Sequence, residues 1–464
     1  MKVFRDILEQ VNGLRFVFEE MNFTSSIGRY AMLSSTWMTN IDEINRELDQ
    51  VSRYISYINL GRGVELLSLQ LSEVVNIMGS INTLRQKGVV CSDIDLFEIK
   101  KLALIDEKIR SISDQYQLEL TNRPSLSGVL KVLDPKGERL PNFYIENEWH
   151  PDLRQIRREI EESRNEEECG ELNNKLSIIE GEVRARLTLE LRVFDTSMEK
   201  VLRALASDTM ILAKAEWAKK NKACRPQPSS KGETILEEII NPEVSFQLKG
   251  KGREFQPVSI SFVNEPTLIT GANMGGKSVL LNSVALAQVL MQFGMYVPAT
   301  RAHLTVVDEV VCSTGDGEDM KLGLSSFGAE MVRLNQIIER VKKGINLLVV
   351  IDEPARTTNP EEGFALVSGL VKIFEKYSVK ALITTHYSGI PSNGKRWRIK
   401  GFIDGEGVGD LRVNQLEYYM DYGLVADIGD RVPREAFRIA RLLEVDEEYL
   451  DLSNRSFRSV GNEK

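Results

Sequence analysis

The run Gly271-Ala272-Asn273-Met274-Gly275-Gly276-Lys277-Ser278 constrains this chain more than any other stretch. It has the form G-x-x-x-x-G-K-S, follows the short run 267–270 (Thr-Leu-Ile-Thr), and opens an apolar stretch from Val279 to about Leu290. A glycine-rich loop between a strand and a helix turns successive backbone N–H groups inward around phosphate oxygens, and the helix N-terminus adds positive dipole. In that setting Lys277 reaches the β- and γ-phosphates of a nucleotide and Ser278 ligates Mg²⁺. All eight residues are therefore candidate nucleotide-binding positions.

A phosphate loop of this kind needs a carboxylate site. The aliphatic run 347–351 ends in Asp352-Glu353, at the tip of an expected strand, where ligands of open α/β sheets bind. Asp352 is placed to hold Mg²⁺ through water, and Glu353 to polarise an attacking water. An acidic turn at a strand end would by itself explain both residues; pairing with the phosphate loop favours the catalytic reading. A third run, 381–384, ends in Thr385-His386-Tyr387. His386 could be structural, but at a third strand tip it is a candidate contact for the γ-phosphate.

The halves of the chain differ in texture. Up to about Ala223, glycines are few and apolar residues recur at spacings of three and four, the pattern of packed helices. Residues 151–168 read as one charged helix, with a turn at Cys169-Gly170. From Glu171 to about Lys220 no proline or breaker cluster intervenes, so a single rod about 70 Å long is expected. Cys224-Arg225-Pro226-Gln227-Pro228-Ser229-Ser230-Lys231-Gly232 reads as a linker. Beyond it, short β-rich runs alternate with helical stretches, as in a mainly parallel sheet. The expected division is a helical core over 1–150, a long-helix lever over 151–223, the linker over 224–232, an α/β nucleotide-binding domain over 233–455 and a tail over 456–464.

Composition narrows the class further. Hydrophobic residues make up 42% and charged residues 27%, ordinary for a globular protein. No apolar run approaches the length needed to span a bilayer, and the first residues are mixed in charge, so no membrane association and a cytoplasmic location are expected. The 4 cysteines and 3 histidines are scattered without metal-ligand spacing, which argues against zinc or a disulfide framework. The net charge of −9 weakens a nucleic-acid reading, because phosphate contacts favour a basic surface, although local patches can still supply one.

Several stretches together resemble the MutS family. Gly271 to Ser278 looks like its G-P-N-M-G-G-K-S, with Ala272 for proline. Gly294-Met295-Tyr296-Val297-Pro298-Ala299 is similar to G-x-[FY]-V-P-A, and Ser313-Thr314-Gly315-Asp316-Gly317-Glu318-Asp319 to R-I-G-A-x-D-D. Gly323-Leu324-Ser325-Ser326-Phe327-Gly328-Ala329-Glu330-Met331 resembles G-x-S-T-F-x-x-E-M. The pairs Asp352-Glu353 and His386-Tyr387 follow in the family's order. Thr24-Ser25-Ser26-Ile27-Gly28-Arg29 resembles, more weakly, the start of the family's core domain.

The resemblance implies an ABC-type P-loop ATPase that takes ATP and Mg²⁺ and works as a homodimer. Ser325 of one subunit would then donate to the γ-phosphate bound by the other, Asn273 would sense it in cis, and Phe255 would lie against adenine. The chain departs from the pattern in three ways. Neither a mismatch-reading nor a connector domain is expected before the core, and no nuclease domain after Lys464. Phe18-Glu19-Glu20 spells the family's F-x-E but reads as helix surface. Finally, D-E-x-G-R-G-T appears as Asp352-Glu353-Pro354-Ala355-Arg356-Thr357-Thr358, without its glycines. Three functions stay open at this point. One is an ATP-gated DNA clamp. Another is a remodelling factor for a protein partner, such as an adenosylcobalamin-dependent aminomutase or another metabolic enzyme. The last is a nucleotide-dependent scaffold.

Overall fold

The computed structural model describes residues 2–271, 276–313, 326–402, 420–427, 437, 440–441 and 445–461. Helices dominate the first half: α1 (Phe4–Ile7), α2 (Leu14–Glu20), α3 (Ser26–Ser34), α4 (Ile41–Leu60), α5 (Val64–Ser72), α6 (Met78–Arg85), α7 (Asp93–Tyr116), α8 (Ser127–Leu133), α9 (Leu153–Glu162), α10 (Glu166–Leu191) and α11 (Asp195–Lys220). Strands then alternate with helices: β1 (Gln227–Ser229), β2 (Thr234–Ile239), α12 (Pro242–Gly250), β3 (Val258–Phe262), β4 (Pro266–Thr270), α13 (Lys277–Gln292), β5 (Arg301–Thr305), β6 (Glu309–Ser313), α14 (Ser326–Lys342), β7 (Leu347–Ile351), α15 (Pro360–Lys376), β8 (Lys380–Thr384), β9 (Arg396–Phe402), β10 (Met420–Ala426) and α16 (Glu447–Gly461). Among the described residues no helix is long and apolar enough to cross a membrane.

The chain forms two compact units. One comprises residues 21–35 and 50–216 and is all-helical. At its centre lies a buried ionic network. Asp208, fully buried, accepts from the Tyr54 hydroxyl at 3.0 Å and the Thr121 N–H at 2.9 Å, and pairs with Arg123 at 3.3 Å. Arg123 also reaches Asp106 at 2.7 Å. Each buried charge thus has an opposite partner, the condition under which such burial is tolerated. Gly28 lets α3 lie against α11: a Cβ there would stand 2.3 Å from Thr209 Cγ2.

Within this unit the chain turns at Ser163-Arg164-Asn165, not at Cys169-Gly170, because the Asn165 side chain accepts from the Glu167 N–H and starts α10 there. The expected single rod is two helices, α10 and α11, separated by a 3₁₀ turn at Arg192–Phe194. Arg192 bonds the Leu84, Gln86 and Val89 carbonyls, and the Phe194 ring sits on Gly128. Tertiary contacts make this break, not a proline or glycine.

The other unit comprises residues 1–20, 36–49 and 217–464. Its six-stranded sheet has the order β10-β9-β4-β8-β7-β6, parallel except for the β9–β10 pair. Strands β4, β7 and β8 are buried along their whole length, which explains why none alternates apolar with polar residues and why β7 is wholly aliphatic. A four-stranded sheet, β1-β5-β2-β3, is antiparallel except for β1–β5. The segment read as a linker supplies β1. Pro228 fits there because β1 is an edge strand, where a missing N–H costs no ladder bond.

Helix α13 is the core of this unit, buried along most of its length. Near its end the Gln292 amide donates to the Met38 and Val307 carbonyls at 2.8 and 2.7 Å, which fastens residues 36–49 here. Phe18 is not on a helix surface. It is 1% exposed and packs on Phe4, whose ring meets Phe293 edge-on at 4.9 Å. α16 runs through Gly461, into the segment expected to be a tail.

Candidate nucleotide site

The parallel neighbours β4, β8 and β7 deliver their C-terminal ends side by side, and the candidate residues follow those ends. β4 leads into Gly271, whose φ of +140° brings its backbone against Ile399; a Cβ would lie 3.0 Å from Ile399 Cβ. Gly276, at φ +76°, precedes α13, so Lys277 and Ser278 form its first turn. β7 ends into Asp352 and Glu353; β8 ends at Thr384 and continues into Thr385, His386 and Tyr387.

These ends touch. The Ser278 hydroxyl donates to Asp352 Oδ2. The Thr384 hydroxyl donates to Asp352 Oδ1 at 2.5 Å and accepts from the Glu353 N–H at 2.9 Å. Lys277, its side chain only 5% exposed, donates to the Gly271 carbonyl at 2.8 Å and pairs with Glu353 Oε1 at 3.0 Å. Arg356 approaches the other Glu353 oxygen at 3.7 Å. Partial desolvation holds the solvent-facing His386 imidazole below its usual pKa; the charge of Glu353 opposes this, and those of Lys277 and Arg356 add to it. His386 therefore feels the charges of the same cluster, and the shift favours its neutral form.

A hydroxyl on one side and a carboxylate on the other form a hard oxygen donor set, the chemistry Mg²⁺ selects. Ser278 and Asp352 thus fit that ion. Beside the α13 N-terminus lies a cavity of about 490 Å³ lined by Phe255, Val258, Gly276, Val279, Leu280 and Tyr422. Gln256 fixes its rim, donating to Asp421 at 2.7 Å and accepting from the Tyr422 N–H at 3.0 Å. Ala272, Asn273, Met274, Gly275 and Ser325 lie outside the described residues.

Sequence reasoning passed over Thr384 and Tyr422. Thr384 sits inside a β-branched strand run, where a hydroxyl carries no signal of its own. Tyr422 is far from the loop in sequence and reaches the cavity only through the β9–β10 pairing.

A family model described as MutS domain V matches residues 267–399, which spans β4 to β9 and contains Lys277, Ser278, Asp352, Glu353 and His386. Over these residues the chain is similar to the MutS family. An endonuclease MutS2 of Caldanaerobacter subterraneus subsp. tengcongensis is 28% identical over 61% of this chain and 35% of that relative. A DNA mismatch repair protein MutS of Lactobacillus delbrueckii subsp. bulgaricus is 30% identical over 47% of this chain and 25% of its own length. An endonuclease MutS2 of Caldicellulosiruptor saccharolyticus is 24% identical over 83% of this chain and half of the relative. The chain therefore spans between about a quarter and a half of these relatives.

Proposed function

We propose that this chain, which is similar to the MutS family over residues 267–399, binds ATP with Mg²⁺ and hydrolyses it in a homodimer whose nucleotide cycle acts on DNA. The convergence of Lys277, Ser278, Asp352, Glu353 and His386 at three adjacent strand ends supports the hydrolytic reading most strongly. Lys277 neutralises the β- and γ-phosphates. Ser278 and Asp352 hold Mg²⁺, which offsets charge on the phosphate oxygens when it is bound. Lys277 cannot hold Glu353 and a phosphate equally, so ATP binding exchanges one anion for the other at its ammonium. That exchange frees the Glu353 carboxylate to polarise the attacking water. Neutral His386 offers an N–H to the γ-phosphate without attracting a second anion.

The cavity beside α13 is the place for the base, with Phe255 and Tyr422 as its aromatic walls. Ser325 acts from the second subunit and Asn273 from the same one, by likeness to the family motifs. DNA is the favoured target because the similar proteins are named for mismatch repair and endonuclease function.

A titration of DNA against the Glu353→Gln protein with ATP and Mg²⁺, near physiological salt, tests this target. Sub-micromolar binding that requires ATP supports it. No binding to homoduplex, mismatched duplex or a four-way junction contradicts it and points to a protein partner.

A further inference from the structure

The backbone just past β7 is held in an unfavourable shape. Glu353 has φ +46° and Ala355 φ +59°, both in the left-handed region that residues with a Cβ avoid. Pro354, whose own φ is fixed by its ring, links the two and leaves its ψ alone to absorb a rotation at Ala355 before it reaches Glu353. Such a conformation persists only where the surroundings over-determine it.

Two side chains from other elements supply that constraint. Glu330, on α14, accepts the Ala355 N–H on Oε1 at 2.9 Å. Tyr387, past β8, donates its hydroxyl to the Ala355 carbonyl at 2.9 Å. Ala355 is 1% exposed, so losing either partner leaves a buried peptide group unsatisfied. On α15, Gly363 makes room for the tyrosine: a Cβ there would stand 2.0 Å from the Tyr387 hydroxyl. The Tyr387 ring in turn packs on the His386 imidazole, with centroids 4.2 Å apart.

We propose that Glu330 and Tyr387 are positioning residues for Glu353, gripping the Ala355 peptide from both sides and so fixing where the base points. This inference rests on the ATPase reading above. Because Glu330 belongs to the helix that opens at Ser326, the grip also ties that helix to the base of its own subunit.

Steady-state ATP hydrolysis and separate ATP-binding titrations test it with Tyr387→Phe, Glu330→Ala and Glu330→Gln, each alone and combined with Ala355→Gly. Tyr387→Phe and Glu330→Ala are expected to lower kcat about tenfold, with ATP affinity within about twofold, since they touch no phosphate. Glu330→Gln retains most of the turnover, because an amide oxygen still accepts the N–H. Ala355→Gly restores most of the loss in both defective variants, since glycine adopts φ +59° unaided.

Should Glu330→Ala not fold, Tyr387→Phe, which removes one oxygen, carries the test. Losses that Ala355→Gly does not restore would mark general packing damage and overturn the proposal. Wild-type turnover above that of Lys277→Ala, with both single variants unaltered, overturns the grip alone. Wild-type turnover no higher than that of Lys277→Ala overturns the ATPase reading and the grip with it.

Discussion

Lys277 and Glu353 meet at 3.0 Å across the ends of α13 and β7, and both are largely withdrawn from solvent. An ammonium so placed holds its carboxylate partner until a stronger anion arrives. Lys277→Ala therefore removes the group that receives the phosphates and leaves Glu353 with Arg356 as its ion-pair partner among the described residues. ATP affinity is expected to fall at least about a hundredfold, the scale of losing several charge-assisted bonds. Equilibrium binding of a fluorescent ATP analogue measures this directly, and affinity within tenfold of wild type would refute the assignment.

Thr384 joins the two acidic residues through one hydroxyl. Thr384→Val preserves shape and deletes both bonds. It is expected to lower kcat by about ten- to a hundredfold with a small change in ATP affinity. Thr384→Ser, which retains the oxygen, is expected to recover most of the rate, and stopped-time assays at saturating ATP compare the three proteins.

His386 supplies a pH dependence whose sign is fixed by partial desolvation and the nearby Lys277 and Arg356 charges. Its native pKa lies below the usual value, so the unfolded chain binds more protons in the interval up to about 6.5. Stability contributed at this site thus rises with pH through that interval and is penalised below it. Urea unfolding at pH 5 and pH 7 is expected to show wild type gaining on His386→Asn as pH rises. An unchanged difference between the two proteins would contradict a lowered native pKa at His386.

Lys380 carries the same logic at higher pH. It lies 2% exposed at the start of β8, and burial lowers its pKa to about 8. The native state therefore holds fewer protons than the unfolded chain between about 8 and 10.4, and stability rises across that window. Lys380→Met is expected to be more stable by about 2–3 kcal/mol at pH 7, with the advantage fading toward pH 10. Denaturant titrations over pH 7 to 10 measure it.

Much of the α/β part was legible because buried parallel strands are written as short aliphatic runs; β7 has the same ends in sequence and structure, and β8 begins one residue earlier, at Lys380. The grouping of Lys277, Asp352, Glu353 and His386 was legible for a related reason, since each follows such a run and parallel strands point their C-terminal ends one way. What was not legible depends on contacts between distant residues. The break at Arg192–Phe194 comes from Arg192 bonding carbonyls more than a hundred positions away, and from a ring seated on Gly128. Phe18 looked like surface because a seven-residue helix gives too little periodicity to show its buried face. The grip on Ala355 joins side chains of α14 and the β8 end to one peptide between them, and no local pattern announces it. Pro226 and Pro228 read as a linker because prolines disfavour central strands, but Pro226 lies just before β1 and the edge strand accommodates Pro228.

The central claim is that Glu353 is the base of an ATP hydrolysis reaction run by this site. The most direct measurement is a single-turnover assay of ATP cleavage by wild type and Glu353→Gln, with ATP binding measured on the same samples. Glu353→Gln is expected to bind ATP as well as wild type or better and to cleave it at least about a hundredfold more slowly, the range lost with a general base. Cleavage at the wild-type rate would contradict the account.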